Sequence, residues 1–310
     1  MNITVVGSGA MGSLYGARLS AENRVSLIDR HQDHVEAVMG RGLAVRRPGG
    51  EERVYKDNLS AATNSSNLGP QDLVVIFVKA TSTFEALEEN LPLVGPDTMV
   101  ATLQNGLGNV EQLEKLVPRK QIIAGTTSFG AARTGPGQIF LAGLGATTAG
   151  ELDGGPTPRL EKLVALLNDA GLNASATSNV LGQIWTKLIV NAAVNAPCAV
   201  LNLKNGALIE SEAGARLLAS AAGEARDVAL ALGVALETPD PVALAAEICR
   251  RTAGNTCSML QDVLAGKRTE IEAINGEVAR LGEKIGVPAP LNAALAEMVR
   301  VLEESRRTGS

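Results

Sequence analysis

Residues 3–12, ITVVGSGAMG, decide the fold of the N-terminal half of the chain. A mostly apolar stretch predicts a short buried strand, and the spacing G-x-G-x-x-G then leads into a helix that begins near Met11. Glycines at such positions permit a tight turn and a close approach of ligand to backbone, so that a pyrophosphate can rest on N–H groups at a helix N-terminus. The alternative is a turn that only packs helix on strand. A charged residue at the end of the next strand favours dinucleotide binding.

The rest of the sequence divides into two regions. Up to about residue 178, strands and helices alternate as in β-α-β units on a parallel sheet. The predicted strands are 3–6, 25–28, 73–78, 98–103 and 121–124, the predicted helices are 11–20, 34–39, 84–90, 109–116 and 158–168, and residues 135–155 fit strands and turns. We therefore predict an α/β domain of the Rossmann type with a parallel sheet over residues 1–178.

From about residue 179 the strand signal stops. Helices are predicted over 180–194, 206–232, 241–253, 256–264, 269–285 and 291–303, which gives an all-α domain over residues 179–310. Two helix starts carry capping patterns: Asp240 precedes a proline, and Thr269 precedes Glu272 at the spacing of a capping box. The last six residues are expected to be frayed.

Composition excludes several classes of function. The 310 residues carry 28 Lys and Arg against 33 Asp and Glu, a net charge of −5, and only 2% are aromatic, so we expect no nucleic-acid partner. No run of 18 uncharged apolar residues and no N-terminal leader pattern is present, so we expect no membrane association and a cytoplasmic location. The two histidines and three cysteines form no metal-ligand spacing, so no metal site is expected.

Two adjacent charged residues follow the second predicted strand. Asp29 would accept hydrogen bonds from the ribose 2′-OH of NAD, whereas Arg30 would pair with the 2′-phosphate of NADP. Either residue could instead be a solvated strand end. Lys79 closes the third predicted strand, where the carboxyl end of a parallel strand faces the ligand crevice; a lysine there suits a phosphate, but an exposed lysine before a helix is an equal alternative.

Further candidates are polar residues at element ends or on one helix face. Asn105 lies between a strand and a helix and could bond ribose or substrate, or could be a turn residue before glycine. Lys187, Asn191 and Asn195 recur at i, i+4 and i+8, so they form one polar stripe on an otherwise apolar helix. The stripe either faces solvent or lines a site. A partly desolvated lysine is a credible general acid because burial lowers its pKa.

Two helix starts complete the candidates. Asn255 and Ser258 lie at the beginning of one predicted helix, where backbone N–H groups and the Ser258 hydroxyl could hold a carboxylate, unless Asn255 or Thr256 only caps the helix. Glu270 lies in the first turn of another helix, where an acid also complements the helix dipole.

Taken together, six motifs resemble the ketopantoate reductase (2-dehydropantoate 2-reductase) family over essentially the whole chain. They are GSGAMG at 7–12, FVKA at 77–80, LQNGLG at 103–108, WTKLIVNAAVN at 185–195, NTCSMLQDV at 255–263 and KRTEIEAING at 267–276. The resemblance implies a Rossmann domain followed by a helical domain like the C-terminal domain of 6-phosphogluconate dehydrogenase. It also implies hydride transfer from NADPH to ketopantoate, which yields pantoate for pantothenate and coenzyme A synthesis.

The resemblance also implies roles for individual residues. Lys187 resembles the catalytic lysine that protonates the ketone oxygen, and Glu270 resembles a catalytic carboxylate that contacts substrate and cofactor. The substrate-side positions it implies are Asn105, Asn191, Asn195, Asn255 and Ser258, and the cofactor-side positions are Gly7, Ser8, Gly9, Ala10, Met11, Gly12, Asp29, Arg30, Lys79, Asn105, Ala131 and Glu270.

One departure from the family pattern concerns the cofactor. Family members generally carry an uncharged residue before the phosphate-binding arginine, but here Asp29 precedes Arg30 and would repel a 2′-phosphate, so NAD is an alternative to NADP. The expected partner is a small 2-oxo acid bound by a monomer or homodimer. The competing hypotheses are a related reductase of another 2-oxo acid or carbonyl compound, and a non-catalytic nucleotide-sensing module; retention of Lys187 and Glu270 argues against the latter.

Overall fold

A computed structural model describes residues 1–308. The chain divides into two compact units: the first comprises Met1–Gln104 and Asn109–Val180, and the second comprises Asn105–Gly108 and the chain from Leu181 onwards. Asn105–Gly108 lie within the range predicted for the first domain, 1–178, but in the structure they belong to the helical unit. Glycines at 106 and 108, both with positive φ, allow the chain to turn at this point.

A large mixed sheet forms the centre of the first unit. Its strands run in the order β12-β11-β8-β7-β6-β1-β2-β5, and β11 is antiparallel to β8 whereas the other pairs are parallel. The members are β1 (Asn2–Val6), β2 (Arg24–Ile28), β5 (Leu59–Ala62), β6 (Leu73–Ile76), β7 (Met99–Thr102), β8 (Ile122–Thr127), β11 (Thr147–Glu151) and β12 (Ala174–Ala176). The predicted fold class is confirmed, and each of the five predicted strands is present.

A second, four-stranded sheet was not predicted. Its order is β4-β3-β10-β9, from β3 (Leu43–Arg46), β4 (Glu52–Tyr55), β9 (Gly130–Gly135) and β10 (Gln138–Gly143). Only β10 falls within the region where strands were expected. Two of the four residues of β4 are charged and its residues are largely exposed, so no apolar alternation marks it as a strand.

Helices flank the sheet in the first unit and form nearly all of the second. The first unit contains α1 (Ala10–Leu19), α2 (Gln32–Arg41), α3 (Thr83–Glu88), α4 (Asn109–Leu113) and α5 (Pro158–Asp169). The second contains α6 (Val180–Leu201, from Leu181 onwards), α7 (Asn205–Glu210), α8 (Glu212–Ala231), α9 (Pro241–Arg251), α10 (Ser258–Leu264), a π-helical turn over residues 272–276, α11 (Glu277–Ile285) and α12 (Pro290–Thr308). Helix α12 continues to Thr308, beyond the predicted end at residue 303, whereas residues 309–310 of the expected frayed end lie outside the described part of the chain.

Helix boundaries in the second unit differ from prediction in three places. The helix predicted over 206–232 is two helices, because Ser211 ends α7 and caps α8 by accepting from Gly214 N–H. Helix α6 continues past residue 194 and through Pro197. Asp240 caps α9 as predicted, with a bond from Ala243 N–H. Thr269 forms no capping box, because its hydroxyl accepts from Ile271 N–H rather than from Glu272 N–H and donates to Glu303.

Helix α6 is the one helix within residues 1–308 that is long and apolar enough to cross a membrane by length and composition. Of its most apolar window, 72% is buried inside the protein, which is the ordinary condition of a core helix. Trp185, Leu188 and Ile189 on this helix belong to the main apolar core of the second unit.

The three glycines of residues 7–12 have different surroundings. Gly7 has φ +93°, and a Cβ on it would lie 2.7 Å from Val78 N; a Cβ on Gly12 would lie 2.0 Å from Gly7 O. A Cβ on Gly9 would meet no protein atom within 4 Å. The fold therefore requires glycine at positions 7 and 12, whereas no protein atom occupies the space beside Gly9.

We expect Gly12→Ala to destabilise the protein by about 1–3 kcal/mol, because the added methyl group must displace the loop from α1. Gly9→Ala serves as the matched control and should leave the unfolding midpoint in urea unchanged within error. Equal midpoints for the two variants would contradict this account of the turn.

Candidate functional site

Residues 7–12 form a turn whose helix start is open. Gly9 precedes α1 in an extended conformation, no side chain caps the helix, and its first turn contains no acidic residue. The first N–H groups of a helix have no intrahelical acceptor, and they carry partial positive charge. Together with the open space above Gly9, these features fit the phosphates of a nucleotide.

Asp29 lies directly beside this turn, at the end of β2. One of its carboxylate oxygens accepts a hydrogen bond from Ser8 Oγ at 3.0 Å, and the other accepts from the backbone N–H and Nδ1 of His31 at 2.9 and 2.6 Å. Burial alone would raise the pKa of Asp29, but the hydrogen bonds from His31 and Ser8 outweigh it and lower the pKa below its usual value. Asp29 is therefore an ionised carboxylate fixed to the glycine turn.

His34 supports the same turn from α2, a role that the sequence analysis missed. Its Nδ1 accepts from Gly137 N–H at 3.1 Å, so its Nε2 carries the proton and donates to Ser13 Oγ at 3.2 Å. Ser13 Oγ in turn donates to Ser8 O at 2.8 Å. Burial and the nearby positive charge of Arg133 lower the pKa of His34, which keeps the ring neutral. The sequence contains no pattern from which these contacts of His34 with Ser13 and Gly137 could be predicted.

Arg30 and Lys79 differ in exposure: Arg30 is exposed, whereas Lys79 is half-buried. The Arg30 side chain is 69% exposed, and its Nη2 donates to both carboxylate oxygens of Glu89, at 2.7 and 2.9 Å. Lys79 is half-buried just after β6, the strand next to β1. Gln104, another residue that the sequence analysis missed, fixes the segment after β6 by donating to Val78 O and Thr83 Oγ1.

Ala131 lies on β9 of the second sheet, opposite Leu141, and is half-buried. Ser8 and Asp29 are thus joined by a direct hydrogen bond, whereas Arg30 is paired with Glu89. The cofactor-side roles of these residues stay predictions.

In the second unit, a continuous hydrogen-bonded chain joins three predicted site residues. Lys187 Nζ on α6 donates to Asn105 Oδ1 at 2.8 Å, and Asn105 Nδ2 donates to Glu270 Oε2 at 3.0 Å. The amide of Asn105 can serve both neighbours because it presents an acceptor to the ammonium and a donor to the carboxylate. These three residues are distant in sequence, and no periodicity predicted that they meet.

The backbone around Asn105 explains how it is held. Gly106 has φ +81°, and a Cβ on it would lie 2.6 Å from the Ala273 carbonyl oxygen. Leu107 N–H donates to that same carbonyl at 2.9 Å. Loop 105–108 is therefore seated directly on the segment that follows Glu270.

Electrostatics make Lys187 unusual. Burial lowers the pKa of Lys187 to about 8, and the negative charge of Glu270 opposes part of that effect. A lysine with this pKa is mostly protonated at neutral pH, yet it gives up its proton far more readily than an exposed lysine. The arrangement can donate a proton to an oxygen on which negative charge develops.

The remaining predicted substrate-side residues lie on α6 and at the start of α10. Asn191 is half-buried and Asn195 is buried. The thiol of Cys257 lies 3.6 Å from Asn195 O, which brings the residue before Ser258 next to the polar stripe of α6. Asn255 and Ser258 are exposed within this unit, so both are accessible to a ligand. Their contacts to substrate stay predictions.

No group of three or more histidine, cysteine or acidic side chains in residues 1–308 is arranged to bind a metal ion. The three cysteines are free thiols and buried.

Comparison with protein families assigns both halves of the chain. Residues 3–154 match the family described as ketopantoate reductase PanE/ApbA, and residues 179–303 match its C-terminal counterpart. The chain belongs to the ketopantoate reductase family. The resemblance inferred from the sequence motifs is thereby confirmed, and with it the assignment to a family of oxidoreductases.

Curated relatives cover nearly the full length of the chain. The 2-dehydropantoate 2-reductase of Halobacterium salinarum is 37% identical over 304 residues, which is 98% of this chain and 99% of that protein. The enzyme of the same name from Pyrococcus horikoshii is 36% identical, again with 98% of each chain covered.

Solved structures similar to this chain include proteins of two different names. A ternary structure of D-mandelate dehydrogenase with NADH and anilino(oxo)acetate superposes with a TM-score of 0.93 at 32% identity, covering 99% of each chain. A PanE/ApbA family ketopantoate reductase from Ralstonia eutropha gives a TM-score of 0.91 at 31% identity, covering 99% of this chain and 100% of that one. Similar folds therefore accompany different substrates.

Proposed function

We propose that this protein reduces a 2-oxo acid with a reduced nicotinamide dinucleotide, and that the substrate is ketopantoate, which becomes pantoate. The observation that carries the proposal is the chain Lys187–Asn105–Glu270, which presents a desolvated, proton-donating ammonium with fixed orientation. The names of the full-length relatives support ketopantoate as the substrate.

The two units have separate tasks in this proposal. The glycine turn of the first unit, with Asp29 beside it, would hold the dinucleotide, because the helix start fits its phosphates and Gly9 leaves room above the backbone. When bound, the cofactor supplies the hydride that adds to the carbonyl carbon. The second unit would hold the 2-oxo acid through Asn191, Asn195, Asn255 and Ser258.

Lys187 acts as the general acid. Its Nζ donates a proton to the ketone oxygen of the substrate as alkoxide charge develops, and its positive charge stabilises that oxygen in the transition state. Asn105 fixes the direction of the ammonium by accepting one of its hydrogens, and Glu270 fixes Asn105. Because donation requires the protonated amine, activity depends on the acid form of Lys187.

The cofactor in this proposal is NADH in preference to NADPH. The carboxylate of Asp29 is ionised and fixed at the end of β2, where a dinucleotide-binding fold meets the adenosine ribose. Ribose hydroxyls can donate to it, whereas a 2′-phosphate would be repelled. Arg30 attracts a 2′-phosphate, but its guanidinium is already paired with Glu89. NADPH is therefore the weaker cofactor in this proposal.

A second candidate substrate is another 2-oxo acid, because a D-mandelate dehydrogenase with NADH shares the fold with a TM-score of 0.93. The polar side chains at 191, 195, 255 and 258 favour a substrate that carries a hydroxyl group as well as a carboxylate. Parallel initial rates with ketopantoate and phenylglyoxylate separate the two candidates. A higher kcat/KM with ketopantoate supports the first, and the reverse order supports the second.

Replacement of the proton donor tests the proposed reaction. We expect Lys187→Ala to lower kcat for 2-oxo acid reduction by at least ~100-fold, the usual scale for a positioned general acid, with a smaller change in KM. Lys284→Ala, which removes an exposed lysine of the same unit, is the control and should retain the kcat of the parent protein. A kcat of the parent size in Lys187→Ala would exclude Lys187 as the acid.

A surface variant tests the cofactor assignment. In Glu89→Ala the guanidinium of Arg30 loses its partner, and since an exposed ion pair contributes about 0.2–1 kcal/mol, kcat/KM with NADPH should rise roughly 2- to 5-fold. The rate with NADH should not change, and Glu88→Ala, at the neighbouring exposed position, should change neither. A parent protein that prefers NADPH over NADH would refute the role given to Asp29.

A further inference from the structure

Asn275 is fully buried and lies in the π-helical turn that follows Glu270. Its Nδ2 donates to Ala192 O at 3.0 Å and to Asn292 Oδ1 at 2.9 Å. Both acceptors are oxygens, so the amide has one possible orientation, with its NH₂ group towards them. Its own Oδ1 is buried and has no hydrogen-bond partner among the described residues, which is a cost that packing alone does not require.

The acceptor on α6 belongs to the helix that carries the proton donor. Ala192 follows Asn191 and lies five residues after Lys187 on α6. At the other end of the turn, the carbonyl of Glu270 accepts from the N–H groups of Ala273 and Ile274, each at 3.1 Å. The turn therefore connects Glu270 to Asn275 as one hydrogen-bonded unit, and Asn275 fastens that unit to α6.

Asn292 anchors Asn275 from the opposite side. Asn292, itself fully buried, donates through Nδ2 to Glu224 Oε2 at 2.9 Å and to Ala221 O at 3.1 Å. Glu224 on α8 also accepts from the backbone N–H groups of Leu291 and Asn292, each at 2.9 Å. This network ties α8, the start of α12, the π-helical turn and α6 together.

The same turn also carries the loop of Asn105, through Leu107 N–H on the Ala273 carbonyl. Lys187 and Asn105 thus sit on two segments that are each bonded to residues 270–275, the segment that carries Glu270. A π-helical turn is an uncommon feature that often accompanies functional sites, since it redirects side chains that a regular helix would place elsewhere.

We propose that Asn275 is a positioning residue, which holds the Glu270 segment against α6 so that Asn105 can bridge Lys187 and Glu270. The inference rests on the proposed function for its kinetic consequence. It assigns no contact between Asn275 and substrate or cofactor.

The structural consequence of losing Asn275 follows from the contacts. Without its amide, the bond to Ala192 O is lost, and the Glu270 carboxylate can move away from Lys187. Glu270 is the charged group of the described chain whose field raises the pKa of Lys187, so a greater separation lowers that pKa further. Misplacement by about 1 Å can cost up to ~100-fold in rate.

The test compares Asn275→Ala with Asn205→Ala. Asn205 is also a buried asparagine of the second unit with an unpartnered Oδ1, but its side chain donates to Thr252 Oγ1 at 2.9 Å and to neither α6 nor the Glu270 segment. Each variant is measured for its unfolding midpoint, for kcat and KM between pH 6 and 10, and for the titration of the Lys187 amine by NMR.

We expect both variants to unfold more easily, but only Asn275→Ala to lose about 10-fold or more in kcat and to shift the alkaline limb of its pH profile and the Lys187 titration to lower pH. An Asn275→Ala protein that is destabilised yet keeps the parent pH limb and Lys187 titration would overturn the proposal. If Asn275→Ala does not fold, Asn275→Ser replaces it, because a hydroxyl adds no charge and is too short to donate to both oxygens.

The two proposals fail in different ways. A parent protein that reduces no 2-oxo acid refutes the proposed function, and the NMR titration of Lys187 then still decides the role of Asn275. A parent protein that is active, with Asn275→Ala indistinguishable from it in pH limb and titration, refutes only the positioning role.

Discussion

The ammonium of Lys187 is the group on which the rest of the site depends. Taking a lysine out of water favours its neutral form, and burial accordingly brings its pKa down to about 8. Asn105 satisfies one of its hydrogens and links it to Glu270, whose charge limits the fall in pKa. The second unit thus maintains a lysine that is protonated at neutral pH and can still release its proton. The loop 105–108, the turn that begins at Glu270 and helix α6 hold the three residues of this chain in contact.

In the first unit, groups of opposite charge lie side by side. The start of α1 carries partial positive charge and open space lies above Gly9, while the ionised carboxylate of Asp29 is adjacent. Hydrogen bonds from Ser8 and His31 fix the charge of Asp29 in place, and His34 supports the same turn through Ser13. Under the proposed function, this ionised carboxylate disfavours a 2′-phosphate on the adenosine ribose.

The sequence predicted the features that depend on local pattern. The glycine spacing, the parallel strands and the helical second half follow from periodicity and turn residues, and the motifs identified the family. Other features depend on contacts between distant segments. Strand β4 is held by pairing with β3 rather than by apolar alternation, and the π-helical turn at 272–276 has no simple sequence signature. The stripe of Lys187, Asn191 and Asn195 was visible from spacing, but its connection to Glu270 requires Asn105, more than 80 residues away in sequence.

A D-mandelate dehydrogenase shares this fold, so the proposed proton donor is a more general feature than the proposed substrate. The most direct test is therefore the titration of the Lys187 amine in the intact protein, followed by NMR after isotope labelling of lysine, in the parent and in Glu270→Gln. The account predicts a pKa near 8 in the parent and a lower value in the variant, with Glu272→Gln, whose carboxylate pairs with Arg300, unchanged from the parent. An ordinary lysine pKa above 10 in the parent, or no change in Glu270→Gln, would contradict it.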